Sequence, residues 1–408
     1  MFFWEKLVKV VKPESVGLDS KVLKNIRTYL DETYVKEGKY IGTLTLVARK
    51  GEIAYLDALG FMDRENERPM KVDTIFRIYS MTKSVTSIAI MQLLEKSKFR
   101  LDDPVYWYIP QFKNMGVYQA GVYPNFITTR PKRHMTIRDL LTHMSGLTYY
   151  FMYRTNVDAA HRSSDLMKAK NLEEFIDTLS KIPLEFSPGD KWNYSVSTDV
   201  LGYLVEKLSG QKLDEYFKEH IFEPLGMVDT DFHCPEDKKF RLASLYEHDP
   251  LGGKPNHMEV PSLDVEMFSG GGGLFSTLSD YYKFASMLLN QGERDGNRII
   301  GRKTLDYMIT NHLPEGKDLT EMSESAFSET PYAGVGFGLG FSVMLDPAKS
   351  QALSDIGEFG WGGMASTVYF INPKEDMLVI FLTQLIPSST YQVRRELRSL
   401  VYSALKPI

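Results

Sequence analysis

Ser80 and Lys83, three residues apart in IYSMTKSV (78–85), are the first pair in the chain able to do covalent chemistry. A serine hydroxyl is a weak nucleophile until a neighbouring base takes its proton. Residues three apart share one face of a helix, so with Ser80 at a helix start the Lys83 amine points at that hydroxyl. Residues 81–96 carry a helical apolar pattern through Ile88, Ala89, Ile90 and Met91, and are expected to be buried. Burial strips solvation from a lysine charge, lowers its pKa and turns it into a base. The helix start also offers unpaired N–H groups, which favour the anion formed when serine attacks a carbonyl. Taken alone, Ser-x-x-Lys occurs often by chance and reads first as an ordinary surface helix start.

Two further stretches could complete a site. In FSPGDKWNYSVSTDVLGYLVEKLSG (186–210) a proline-glycine turn leads through Trp192 to Tyr194 and then into a helix. A tyrosine in such a loop can reach a cleft or pack in the core. In GEFGWGGMASTVYFINP (357–373) Gly362 and Gly363 open a strand. Missing side chains there let a ligand approach the backbone, or simply allow a tight strand entry. In TYYFMY (148–153), Tyr149 and Tyr150 are candidates for a pocket wall, and packing within their own lobe explains them as well.

The elements that must position these residues are legible at coarse grain. Residues 20–36 form a helix capped by Asp19 or Ser20, and 41–60 a hairpin turning at Lys50-Gly51. A capping box of Thr136 and Asp139 opens a helix that runs to Gly146. Helices are expected over 172–181, 197–209 and 212–222, after Thr277 or Ser279, near Lys303, and over 389–405. Strands are expected over 334–345, 365–372 and 377–384. SGGGGLFST (269–277) reads as a tight, closely packed loop. Strands at both ends around a helical middle predict an α+β fold. One antiparallel sheet from both chain ends is flanked by helices, a mostly helical lobe is added, and the site lies between them. The expected organisation is one catalytic domain over 1–408, with an α/β lobe of about 1–79 and 270–408 and a helical lobe of about 80–269.

Bulk properties exclude several classes. Net charge is -5 and no long block of like charge stands out, so nucleic acid is not an expected partner. No run approaches the ~20 apolar residues of a membrane span. The apolar start of MFFWEKLVKV is broken by Glu5 and Lys6, too early for a signal-peptide core. Cys234 is the single cysteine, which precludes an intrachain disulfide and fits a cytoplasmic protein. The histidines are scattered, His143 and His248 read as ordinary polar residues, and no phosphate loop is present; neither metal nor cofactor is expected. There is also no G-x-S-x-G nucleophile elbow.

The blocks FRIYSMTKSVTSIAIMQLLE, LDDPV, TIRDLLTHMSGL, FSPGDKWNYS, PLGMVDTDF, GGGGLFSTLSDYYKF and FGWGGMAST, in this order, resemble the serine β-lactamase and penicillin-binding-protein superfamily. The similarity spans nearly the whole chain and is greatest to the class C branch and the family VIII carboxylesterases. It implies Ser80 as acylated nucleophile, Lys83 as its proton acceptor and Tyr194 as the group passing a proton to the leaving group. It also implies an oxyanion hole from the backbone N–H groups of Ser80 and Met364. Two positions depart from the β-lactam-processing pattern. Val196 stands where relatives carry an amide side chain, and Trp361-Gly362-Gly363 where they carry a cation. Trp361 offers an apolar face and one N–H, so Trp361, Gly362 and Gly363 are expected to contact substrate. The implied activity is a serine carboxylesterase cleaving neutral short-chain esters, a small-molecule partner, through an acyl-serine. A β-lactamase or D-amino-acid peptidase, or an acyltransferase using the same acyl-enzyme, is the alternative. A non-catalytic binding protein of this fold would be expected to lose Ser80, Lys83 or Tyr194, and all are present.

Overall fold

The strands at the two ends of the chain meet in one sheet, as their residue pattern predicts. The computed structural model describes residues 9–260, 267–323 and 332–407, so most of the apolar N-terminal start lies outside the described residues. The eight-stranded antiparallel sheet runs in the order Val335–Phe337, Ser342–Met344, Phe359–Gly362, Val368–Asn372, Met377–Leu382, Gly42–Arg49, Glu52–Asp63, Arg68–Pro69. Its centre joins the chain ends, with Leu44 opposite Leu382 and Arg49 opposite Met377. The hairpin turns at Lys50 (φ 53°) and Gly51 (φ 75°), matching the right-handed strand twist.

Helices cover both faces because both are apolar. Gly42–Arg49 is buried throughout. Leu44, Leu46, Leu378 and Ile380 face one core, which includes Val85, Ile88 and Phe284 of the helices Thr82–Glu95 and Leu278–Leu289. Val47, Val379 and Phe381 face a second core with Leu23, Ile26 and Leu397 of the helices Ser20–Leu30 and Val393–Tyr402. Asp19 caps the first of these, accepting from the amides of Lys21 and Val22. Its periodic stretch continues past Leu30 as a wider π-helical turn, Asp31–Val35.

Several boundaries differ from the sequence expectation. The helix opened by Thr136 and Asp139 covers only Ile137–Leu141. Thr142 bonds back to the Arg138 carbonyl, and His143 takes a left-handed φ of 56°, so the chain turns before Gly146. The apolar run 334–345 bends at Gly340 (φ 96°) into two short strands. The last helix begins only at Val393. Features that escape the pattern include the helix Asn156–Ser163, the hairpin of Val117–Val122 and Asn125–Thr129, and a small sheet of Leu245–Glu247, Asn256–Met258 and Leu385–Ile386. The strand Phe359–Gly362 is another, so the glycine pair ends one strand rather than opening the next. Among the described residues no helix is long and apolar enough to cross a membrane.

Two contacts bring distant blocks together. Strand Ile75–Arg77 pairs antiparallel with Phe275–Thr277, and the Ile78 amide bonds the Leu274 carbonyl at 3.1 Å. The chain entering Ser80 is thereby tied to the chain leaving the glycine run. That run is pressed between the helices Thr82–Glu95 and Ser197–Ser209. Thr86 donates to the Gly270 carbonyl at 2.7 Å, and a Cβ on Gly270 would meet the Thr198 carbonyl at 2.7 Å.

Candidate active site

Ser80 lies in the short 3-10 turn Tyr79–Met81, directly before the helix Thr82–Glu95. Tyr79 is held at φ 44°, a conformation costing about 1–3 kcal/mol for a residue with a side chain. One turn on, Lys83 is 2% exposed. Its Nζ lies 3.1 Å from Ser80 Oγ, 2.9 Å from the Tyr149 hydroxyl and 2.6 Å from the Gly271 carbonyl oxygen. Burial pushes the Lys83 pKa down to about 7, with the Asp199 charge pulling partly the other way. Asp199, on the helix Ser197–Ser209, is fully buried, and its Oδ1 accepts from the Ser269 hydroxyl at 2.5 Å and the Gly271 amide at 3.0 Å. Burial raises its pKa, opposed by Lys83 and these donors.

The structure brings Tyr194 to the same point. Its hydroxyl hydrogen-bonds with Ser80 and accepts from Trp361 Nε1 at 3.2 Å. Burial raises its pKa against those two bonds, so the phenol stays protonated. Lys83 Nζ stands 4.5 Å from the centre of the Tyr194 ring. Beneath that ring lies His143, 4.9 Å away between centroids, with Nδ1 3.1 Å from Ser195 Oγ. His143 is buried, and burial keeps it neutral by pushing its pKa well down. Val196 packs in the core directly before the helix Ser197–Ser209, two residues after Tyr194.

Trp361, Gly362 and Gly363, expected to contact substrate, all line the cleft, and each also has a partner within the protein. Trp361 does not hold its N–H out for a ligand; the group is used on Tyr194, while the ring stacks on Tyr332. The glycine pair is required by the protein's own packing. A Cβ on Gly362 would fall 2.5 Å from Arg394 Cζ, and one on Gly363 would fall 2.5 Å from the Ile78 carbonyl oxygen. Gly363 therefore lets the strand end sit on the turn that carries Ser80, which places Met364 and Ser80 in one cleft wall. Position 361 supplies no cation, yet the cleft does not lack one, because Arg394 and Arg154 line it.

Two contributors were missed. Tyr149, read only as a possible wall, has its hydroxyl on the Lys83 amine; burial and the Asp199 charge keep that phenol protonated. The glycine run, read as tight packing, also supplies the carbonyl nearest the amine. The sole signal for Tyr149 was its position directly after HMSGL. The cleft measures about 870 Å3, and the run Tyr150, Phe151, Met152 and Tyr153 gives it a largely aromatic lining on one side.

A half-buried serine meeting a buried lysine and a buried tyrosine, between an antiparallel sheet and a helical layer, defines a class of serine acyl-transfer fold. The chain belongs to the Beta-lactamase family, whose model matches residues 25–402. It is 33% identical to protein Rv1367c of Mycobacterium tuberculosis over 86% of this chain and 87% of that one. It is 29% identical to esterase EstB of Burkholderia gladioli over 91% and 93%. The structure of EstCE1, described as a hydrolase with promiscuous acyltransferase activity, superposes with a TM-score of 0.78 at 25% identity, covering 94% of this chain and 99% of that one.

The depressed Lys83 pKa has a thermodynamic consequence. Between pH 7 and the usual lysine range the unfolded chain binds a proton that the folded chain does not, so stability rises with pH across that interval. Below about pH 7 the burial penalty is full, on the order of 5 kcal/mol. Lys83→Met should therefore raise Tm at pH 7, and the gain should shrink as pH is taken towards 10. Thermal melts of both proteins across pH 6–10 check this; an equal or lower Tm for the variant at pH 7 would show that the amine's hydrogen bonds outweigh its desolvation.

Proposed function

We propose that the protein is a serine carboxylesterase working through an acyl-Ser80 intermediate. The observation that carries this reading is the buried amine of Lys83, 3.1 Å from Ser80 Oγ, with Tyr194 on the same hydroxyl. A neutral amine has two N–H groups and one lone pair. The Gly271 carbonyl can only accept, so it takes one N–H. Tyr149 takes the second, and the lone pair is left for the Ser80 proton. As Ser80 Oγ attacks the ester carbonyl, Lys83 receives that proton, and the carbonyl oxygen turns to the N–H groups of Ser80 and Met364. Tyr194, protonated and fixed by the Trp361 N–H, then gives its proton to the departing alcohol oxygen and is reprotonated from Lys83. Water attacks the acyl-serine by the reverse proton path. Family membership, and relatives described as esterase EstB and the hydrolase EstCE1, support this reading.

The substrate is a small-molecule ester. A cleft of about 870 Å3 has room for an acyl chain and a larger alcohol portion, which also favours a second reading, transfer of the acyl group to an alcohol acceptor. The single buried Cys234 supports a cytoplasmic location.

Ser80→Ala should abolish turnover of p-nitrophenyl butyrate while keeping the fold, and a phosphonate ester should add one adduct to the wild type, on Ser80, by intact-mass and peptide analysis. Labelling of another serine, or a fully active alanine variant, would rule the assignment out. Wild-type kcat/KM for p-nitrophenyl butyrate should exceed that for benzylpenicillin by about 100-fold or more, a difference of ~3 kcal/mol. Equal values would make the protein a lactamase.

The pH profile follows from the Lys83 shift. The group must be neutral to accept a proton, so kcat/KM should fall as pH drops below about 7. Lys83→Arg keeps a charge that is not lost at working pH and should be as inactive as Lys83→Ala. Activity retained by the arginine variant, or a profile flat from pH 8 to 5, would exclude Lys83 as the base.

A further inference from the structure

We infer that Arg394 is a positioning residue for this reaction: its guanidinium staples the turn that carries the Met364 N–H and holds it against the Ser80 turn. The inference rests on the acyl-Ser80 reading. Arg394 is the second residue of the C-terminal helix Val393–Tyr402, far from the other site residues in sequence. Its Nη2 donates to the Gly363 carbonyl at 2.9 Å and to the Thr367 carbonyl at 3.0 Å. These carbonyls close the two ends of the turn containing Met364. Each also accepts within the turn, Thr367 from the Gly363 amide at 2.8 Å and Gly363 from the Ser366 amide at 3.2 Å. Ser366 sits at a left-handed φ of 66°, so the turn holds a conformation that its own residues disfavour.

The clamp acts from one side only, because the other side is already fixed. Gly363 abuts the Ile78 carbonyl, two residues before Ser80, so the turn is held between the guanidinium and the nucleophile's own backbone. Gly362 supplies the space: any side chain there would meet Arg394 within 2.5–2.8 Å. The helix does not need Arg394 to dock. Val393, Leu397 and Val401 are fully buried, and Arg398 bonds Glu358 at 2.9 Å. Loss of Arg394 should therefore loosen the turn and leave the helix in place. The Arg394 charge also lowers the Tyr194 pKa, which puts the cation within electrostatic reach of the reacting groups.

Arg394→Ala and Arg394→Lys test this with p-nitrophenyl butyrate, with phosphonate labelling of Ser80 as the control. The alanine variant should lose roughly 10- to 100-fold in kcat, with KM changed by less than about threefold, as expected for a displaced donor rather than a lost substrate contact. Its affinity for benzeneboronic acid, which forms a tetrahedral anion on serine, should fall by the same factor as kcat/KM. Guanidinium chloride at tens of millimolar should restore part of kcat, and sodium chloride at equal ionic strength should not. The lysine variant, which keeps a donor and a charge, should fall between wild type and alanine, and it carries the test if alanine fails to fold. An alanine variant with wild-type kcat, one losing activity through KM alone, or one that guanidinium does not rescue would overturn the inference. In those cases Ser80 labelling in wild type leaves the acyl-enzyme reading standing, whereas a wild type not labelled at Ser80 removes both.

Discussion

The burial of one amine constrains everything around it. Lys83 lies in an apolar helix with almost no access to water, so every N–H it keeps must find an acceptor inside the protein. The Gly271 carbonyl is such an acceptor, and it can come so close only because residue 271 has no side chain. A Cβ there would lie 2.4 Å from Asp199 Oδ2 and 2.8 Å from the Tyr149 hydroxyl. The glycine run is held in place in turn by the pairing of Ile75–Arg77 with Phe275–Thr277. A carboxylate bonded directly to the amine would hold it protonated. Asp199 instead lies behind the Gly271 amide, near enough to soften the desolvation and too indirect to cancel it.

The opposite wall solves a different problem with the same economy. In the proposed reaction Tyr194 presents a protonated hydroxyl at a fixed place, and a cation bonded to it would favour the phenolate. Trp361 fixes the hydroxyl with a neutral donor, and its ring closes the wall by stacking. The nearby cation comes from the C-terminal helix and is spent on backbone carbonyls. The glycine pair that reads, in sequence, as an opening for a ligand also makes room for the protein itself, Gly362 for the Arg394 side chain and Gly363 for the Ile78 backbone.

What could be read from the sequence follows from which interactions are local. The buried helix Thr82–Glu95, the Lys50-Gly51 hairpin and the strands that form the sheet carry their own periodicity, and the α+β architecture follows from their order. The Ser80–Lys83 contact is one helical turn, and so was legible. The role of Tyr149 was not, because periodicity says that a ring is near the core and not where its hydroxyl points. Arg394 was invisible for a stronger reason: its partners lie on a strand end that only the folded sheet brings to the last helix. The helix from Thr136 was overextended because the left-handed turn at His143 depends on tertiary contacts. There the ring packs against Tyr194 and Trp192.

Five buried titratable groups at the cleft share one direction. Burial drives Lys83 and His143 down, and Tyr149, Tyr194 and Asp199 up, each towards its uncharged form. The site thus favours few fixed charges at rest, and the proton transfer proposed from Ser80 to Lys83 would create separated charge in a medium that screens it weakly. In the proposed reaction such charge meets dipoles already in place: the Gly271 carbonyl and Tyr149 hydroxyl lie on the Lys83 amine, and the proposed oxyanion donors, the amides of Ser80 and Met364, belong to residues of one cleft wall. Those dipoles are backbone or phenol groups fixed by packing, so they need no rearrangement at the moment of transfer. The permanent cations Arg154 and Arg394 stay at the cleft wall, tied to Asn193 and to the turn carbonyls, where they hold the frame without taking the proton's place.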